Sequence, residues 1–256
     1  MKAILLNNLV ALLVLIGIPG GFAGLLTVLN RRSKRNLVNR FGVNSQVYCG
    51  ALGIVIHELS HLIVAVLFRH GIQSVRLIKR PHLTAGSDDD LALGYVNHTW
   101  QAGNYYQVIG NLFIGVAPIF GCTAALLGLD YWLWPGLARA IMHLAATPTV
   151  LDWTGSWHLI LTTPTSVGRL ILLAGLSLMI VLGGFDLSPA DYQNSAVGLY
   201  STLATIIVGT SLLTWLGITT WLQGLIQWGV TLTIILGYAV VLSLLVALAS
   251  RLLVRR

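Results

Sequence analysis

Long apolar segments separated by short polar ones dominate the pattern along this chain. A helix needs about 20 mainly apolar residues to cross the hydrocarbon core of a membrane. Six segments approach or exceed that length, and they cover residues 3–29, 47–68, 105–129, 167–182, 195–216 and 222–248. The pattern therefore predicts an all-α polytopic membrane protein with about six transmembrane helices.

The first apolar segment follows Lys2 and stops at a basic run, Arg31 to Arg35. This order is typical of an uncleaved span rather than of a removed signal peptide. We expect a kink near Pro19, because proline has no N–H to donate within a helix. The basic segment 31–40 predicts a solvated connector between the first two spans. With six spans, eight lysine and arginine residues would lie on one side of the membrane and seven on the other, so charge leaves the orientation open.

The only sizeable polar stretch between apolar segments follows the second span. Residues 74–80 and 91–97 look like two short strands, and Pro81 together with residues 85–90 supplies the turn signals between them. We expect a small membrane-associated β-hairpin here. Residues 136–146 predict a helix too short to cross a membrane, which we expect to lie at the interface or to re-enter.

Composition supports the membrane class and excludes a soluble one. Hydrophobic residues make up 56% of the chain, charged residues make up 9%, and the mean hydropathy is +0.82. The net charge of +7 comes from residues that flank apolar segments, so we expect contact with membrane lipid and no nucleic-acid partner. Residues 1–256 are expected to form a single integral-membrane domain, and the compactness of the chain suggests a bacterial plasma membrane.

The candidate chemistry lies in the second span, in His57-Glu58-Leu59-Ser60-His61. Residues four apart share a helix face, so the two imidazoles can bind one metal ion while the only glutamate of the chain lies beside them. This H-E-x-x-H spacing is the signature of helical zinc hydrolases, with the carboxylate as general base. Ionisable groups within a span cost about 2.5 kcal/mol or more and are usually functional. The alternative is two neutral histidines and a protonated Glu58 that bond to neighbouring helices.

A catalytic zinc ion needs a third protein ligand beside the two histidines. Asp191 follows two further apolar segments and begins a helix, from which it could reach the second span. The same residue fits a capping role equally well, since Ser188 and Pro189 stand at the positions that begin a helix. Asp186 is the runner-up ligand, and His98 is the third candidate.

The order of these elements resembles the site-2 protease family of intramembrane zinc metallopeptidases. The matching stretches are His57–His61, Leu93-Gly94-Tyr95-Val96, Gly115-Val116-Ala117-Pro118 and Ser188-Pro189-Ala190-Asp191. They span about residues 45–200, which would be the catalytic core of a divergent member. Tyr192 stands where the family has a glycine after the aspartate, and a PDZ-like insertion is absent. The resemblance implies that Asp191 is the third ligand.

Together, motif and resemblance predict a hydrolase that holds one zinc ion (Zn²⁺) per chain and cleaves transmembrane proteins or peptides. Glu58 would act as the general base, in a polar cavity that water can reach. Asn111 and Tyr95 are candidates to line the site, although an interhelical hydrogen bond accounts for Asn111 equally well. The alternatives are a non-proteolytic membrane protein that binds or transports metal, and a pseudoprotease scaffold.

Overall fold

The computed structural model describes residues 1–80 and 92–254, and helices dominate it. The helices are α1 (Lys2–Leu12), α2 (Ile18–Phe41), α3 (Ser45–Leu67), α4 (Tyr105–Leu133), α5 (Pro135–Ala146), α6 (Trp153–Thr162), α7 (Val167–Gly184), α8 (Pro189–Trp215) and α9 (Trp221–Val254). The strands are β1 (Gly71–Arg76) and β2 (Tyr95–Thr99). In the described part of the chain, six helical segments are long and apolar enough to cross a membrane. The polytopic all-α class with a small hairpin is therefore confirmed.

The first span is longer than expected, and its irregularity lies before the proline. Helix runs from Lys2 to Phe41 through a π-helical turn at Leu13–Gly17. Pro19 cannot donate to the carbonyl one turn earlier, and a wider turn just upstream accommodates that loss. The basic residues 31–40 belong to α2, so the connector expected there is helical.

Both strands of the β-hairpin lie closer to the neighbouring helices than the alternation of apolar and polar residues predicted. β1 and β2 pair antiparallel, from Gly71 opposite Thr99 to Arg76 opposite Tyr95, with a bulge between Ile72 and Ser74. The predicted strands were displaced because pairing starts directly where α3 ends, and not where apolar residues alternate. The turn expected at residues 81 and 85–90 lies outside the described residues.

Helices α5 and α6 fold back on each other instead of crossing the bundle. A methyl group on Gly136, at the start of α5, would lie 2.9 Å from the carbonyl oxygen of Leu159, near the end of α6. Thr165 Oγ1, just beyond α6, donates to the carbonyl of Leu133 at 2.8 Å, at the end of α4. The chain thus returns to the point where it left α4, as expected for a helix that does not span.

The link between α7 and α8 lies inside the fold and not at one end of it. Helix α8 runs antiparallel to the first helix, because Asn7 bonds to Thr214 at 3.0 Å while Arg31 bonds to the Leu187 carbonyl at 2.7 Å. The link therefore packs beside the middle of α2. Phe185 and Leu187 are almost fully buried there. The fifth span begins at Pro189 rather than at residue 195, since a capping box at Ser188 starts the helix.

Helices α2, α4, α7 and α9 enclose the apolar core. Each contributes almost fully buried side chains, among them Leu26, Ile119, Leu126, Ile180 and Leu236, and the α7–α8 link adds Phe185 and Leu187. The α7–α8 link therefore packs against side chains of this core.

Glycines let α3 and α7 approach to backbone contact. A methyl group on Gly53 would lie 2.6 Å from the Met179 carbonyl oxygen, and one on Gly183 would collide with the carbonyl of Gly50. Small residues allow such close approach between membrane helices. The crossing brings the end of α7 next to the middle of α3, where the metal motif lies.

We predict that Gly183→Ala destabilises the protein, whereas Gly175→Ala on the same helix does not. A methyl group at 183 meets backbone atoms that cannot move aside, while nothing lies within 4 Å of a methyl group at 175. Overpacking of this kind costs about 1–3 kcal/mol, and Gly175→Ala should be neutral or slightly stabilising because alanine favours helix. Thermal unfolding in detergent measures both, and equal midpoints would contradict the close crossing.

Candidate metal centre

Helix α3 presents His57, Glu58 and His61 within the fold. All three side chains are buried, with 6–7% of their surface exposed. The Nε2 atoms of the two histidines lie 3.1 Å apart, as residues one turn apart on a helix face should. The sequence motif therefore forms one compact group that faces the protein.

Backbone carbonyls of two other helices fix both imidazole rings. His57 Nδ1 donates to the carbonyl of Gly184 in α7 at 2.8 Å, and His61 Nδ1 donates to the carbonyl of Ile114 in α4 at 2.7 Å. A carbonyl can only accept, so each Nδ1 carries the proton and a neutral ring has a lone pair on Nε2. Metal-binding histidines are commonly oriented by such bonds.

Asp191 completes the group from the first turn of α8. Its Oδ1 lies 3.1 Å from His61 Nε2, and its Oδ2 lies 3.6 Å from His57 Nε2. Nitrogen and oxygen ligands about 2.05 Å from a tetrahedral zinc ion lie about 3.3 Å from one another. The separations of 3.1 Å between the two Nε2 atoms, 3.1 Å from His61 to Oδ1 and 3.6 Å from His57 to Oδ2 are close to that spacing. One donor atom from each of the three residues lies within 4.8 Å of the others, so the group is compact enough to surround one ion.

With the proton of each neutral ring on Nδ1, the arrangement brings electron pairs together with no hydrogen-bond donor between them. Two imidazole lone pairs and a carboxylate face one another in a buried place. A single proton could bridge one of the three contacts, whereas a divalent cation would satisfy all of them. The donor set of two imidazoles and one carboxylate is one that catalytic zinc uses.

The two roles that the sequence left open for Asp191 occur together. Asp191 Oδ2 accepts from the Ser188 backbone N–H at 2.6 Å, and the Asp191 N–H donates to Ser188 Oγ at 3.2 Å. These two bonds form a capping box at the start of α8. One carboxylate thus begins the helix and joins the histidines.

Neither runner-up ligand joins the group. Asp186 is held by Arg31 Nε at 2.8 Å and by Lys34 Nζ at 3.1 Å. His98 bonds instead to His70 and Asn194. The expectation that Asp186 or His98 could be the third ligand was therefore wrong, because each side chain binds other residues and does not reach the two histidines.

Asn111 and Tyr95 lie near the group without a hydrogen bond to it among the described contacts. Asn111 is fully buried on α4, one turn before Ile114, and its Nδ2 donates to the Gln107 and Val108 carbonyls at 3.4 Å. Its Oδ1 has no partner among the described residues. Tyr95 is the first residue of β2. The role of both in lining the site stays a prediction.

The hairpin lies directly against Glu58 through Gly94. A methyl group on Gly94 would lie 2.6 Å from Glu58 Cγ and 2.8 Å from its Oε1. The neighbouring Leu93 carbonyl accepts from the Lys79 N–H at 2.6 Å, which continues the pairing of the hairpin. Only a residue without a side chain fits this position, so the hairpin reaches the candidate base at its backbone.

A chain of hydrogen bonds anchors the hairpin to α4 and α8. Asn194 Nδ2 donates to His98 Nε2 at 3.2 Å, the Nδ1 atoms of His98 and His70 lie 3.0 Å apart, and His70 Nε2 donates to the Gln107 carbonyl at 2.9 Å. Every bond is satisfied when both rings are neutral. Burial lowers the pKa of His70. Burial, helped by the charges of His70 and His61, lowers the pKa of His98 to about 4.

We predict that the hairpin loosens from the helices as the pH falls from 7 to 5. Free histidine takes up a proton near pH 6.5, whereas the docked His98 resists protonation until about pH 4. Docking is therefore strongest above pH 6.5 and weakens below it. Hydrogen exchange at the amides of residues 71–76 and 95–99, corrected for intrinsic rates, measures this effect. His98→Gln should remove most of the pH dependence, and His158→Gln, an exposed control, should keep it.

Comparisons with protein-family models, with curated proteins and with solved structures found no match for this chain. What the chain offers for assigning a function is therefore its own motif and the geometry around it.

Sequence reasoning found the three side chains of the group and missed what holds them. The carbonyls of Gly184 and Ile114 have no signature in a sequence, because every residue has a carbonyl. The close contact of Gly94 had a weak signal, a glycine inside the predicted strand 91–97, since such a glycine often marks a close backbone approach.

Proposed function

We propose that this protein is an intramembrane zinc endopeptidase, a divergent member of the site-2 protease family, that cleaves transmembrane proteins or peptides. The observation that carries the proposal is the convergence of two Nε2 lone pairs and the Asp191 carboxylate beside Glu58. The proposed location is a bacterial plasma membrane, an expectation that rests only on the compactness of the chain.

The residues fit a catalytic zinc ion and not only a structural one. His57, His61 and Asp191 would supply three ligands, which leaves a fourth position open. Zinc bound there would supply a Lewis acid that activates water and polarises a peptide carbonyl.

Glu58 is the residue suited to move protons in this reaction. It directly follows His57 on α3 and is as buried as the two histidines, so it lies beside the proposed ligands. We assign to it the removal of a proton from the attacking water and its delivery to the leaving amine nitrogen. Hydrolysis then yields one new carboxylate and one new amine.

The hairpin is suited to hold an unwound substrate segment. Among the described residues, β1 and β2 pair only with each other, so each strand has a free edge. An extended peptide can add to such an edge through backbone hydrogen bonds. Because Gly94 touches Glu58, a strand added to the hairpin would bring a peptide bond near the candidate base.

We predict that Glu58→Gln lowers cleavage of a reconstituted transmembrane substrate by about 10²- to 10⁴-fold, the contribution of a general base. The amide cannot take up the proton, but it keeps the size of the side chain. Zinc content, measured by elemental analysis, should not change because Glu58 is not a ligand. Equal cleavage by the variant and the wild type would overturn the proposed role of Glu58.

We predict that Asp191→Asn and Asp191→Ala both lose zinc but differ in stability. Either change removes an anionic ligand, so the affinity should fall by more than the roughly 10- to 100-fold seen for outer partners. The amide oxygen of asparagine can still accept from the Ser188 N–H, whereas alanine also loses a capping contact of about 1 kcal/mol. His158→Ala, at an exposed histidine, is the control for zinc titration and thermal unfolding.

Other results would direct the assignment elsewhere. If the reconstituted protein binds zinc and moves it across the vesicle membrane but cleaves no substrate, a metal transporter would be favoured. A wild-type protein that binds no zinc would favour a scaffold.

A further inference from the structure

Residues at both ends of the link between α7 and α8 contact the histidines of the proposed metal centre. Gly184, the last residue of α7, orients His57 through its carbonyl at 2.8 Å. Asp191, in the first turn of α8, faces both histidines. The positions of the Gly184 carbonyl and the Asp191 carboxylate therefore depend on how residues 185–188, which join the two helices, are held.

Helix α2 holds the backbone of this link. Thr27 Oγ1 donates to the Phe185 carbonyl at 3.3 Å and accepts from the Leu187 N–H at 3.5 Å. One turn later, Arg31 Nη2 donates to the Leu187 carbonyl at 2.7 Å. These contacts fix the backbone on either side of Asp186.

Helix α2 also holds the one charged side chain of the link. Arg31 Nε lies 2.8 Å from Asp186 Oδ1, and Lys34 Nζ lies 3.1 Å from Asp186 Oδ2. Each carboxylate oxygen therefore has its own cation. The Lys34 and Asp186 side chains are only 12% and 20% exposed, so solvent screens this pair less than a surface pair. Arg31 binds the side chain of Asp186 and the next carbonyl at once, which fixes the direction of the link.

We propose that Arg31 and Lys34 are positioning residues of the metal centre, which act through Asp186 to keep Gly184 and Asp191 in place. This inference rests on the proposed function, since it concerns the same zinc site. It makes the first span part of the centre, although the metal motif and the stretches that resemble the protease family all lie beyond residue 45.

Arg32 provides a matched control on the same helix. It is exposed, and among the described residues no hydrogen bond or ion pair is recorded for its side chain. Glutamine and arginine have similar helix propensities, so Arg31→Gln and Arg32→Gln leave α2 equally helical. The two variants differ only in whether the contact with the link is lost.

The test is a zinc titration of the full-length protein in detergent, after removal of metal and against a competing chelator. Arg31→Gln and Asp186→Asn should each weaken zinc binding by about tenfold, the low end of the range for outer partners. The double variant should lose less affinity than the product of the two single effects, because both changes break the Arg31–Asp186 contact. Arg32→Gln should bind as the wild type does.

Cobalt substitution separates positioning from general stability. The visible spectrum of bound Co²⁺ reports the ligand set, so the Arg31→Gln spectrum should shift toward that of Asp191→Asn, while that of Arg32→Gln should not. If Asp186→Asn fails to fold, Arg31→Lys serves instead. It keeps the charge but replaces the two separate donor nitrogens, Nε and Nη2, with a single one, so the zinc affinity of this variant should be intermediate.

The possible results distinguish the two claims. Wild-type zinc affinity and an unchanged cobalt spectrum in Arg31→Gln would overturn the positioning role and leave the zinc centre intact. A wild-type protein that binds neither zinc nor cobalt would overturn the proposed function, and the positioning role with it.

Discussion

The structure depends on bringing three electron-pair donors together inside the protein. Two imidazole nitrogens and a carboxylate repel one another unless a cation lies between them, and burial strengthens that repulsion. A single helix supplies only His57 and His61. The other elements near the site keep the rings turned inward, carry Asp191 to them and shield the group from lipid.

Helices α3, α4 and α7 orient the two histidine rings through backbone contacts more than through side chains. The carbonyls of Gly184 and Ile114 turn the two rings, and glycines at the crossing of α3 and α7 let one of those carbonyls come close enough. Backbone groups suit this purpose because they cannot rotate away or change their charge. The hairpin adds a third backbone contact at Gly94, which lies against the only glutamate of the chain.

Much of this arrangement could be predicted from residue types and spacing, and the rest could not for physical reasons. The His57–His61 spacing has few other readings within an apolar span, and Ser188 and Pro189 marked where a helix with Asp191 begins. The strand limits were displaced because backbone pairing, and not alternation, sets them. Arg31 looked like a signal for membrane orientation, since sequence alone does not reveal that Asp186 lies beside it.

The double use of Asp191 has a thermodynamic consequence. Its carboxylate belongs at once to the first turn of α8 and to the group of histidines, so order in that turn and occupancy by a cation are reciprocally linked. A bound ion would suppress fraying at the start of α8, and an intact turn would in return raise the affinity for the ion. Removal of such an ion should therefore loosen α8 well beyond Asp191 itself.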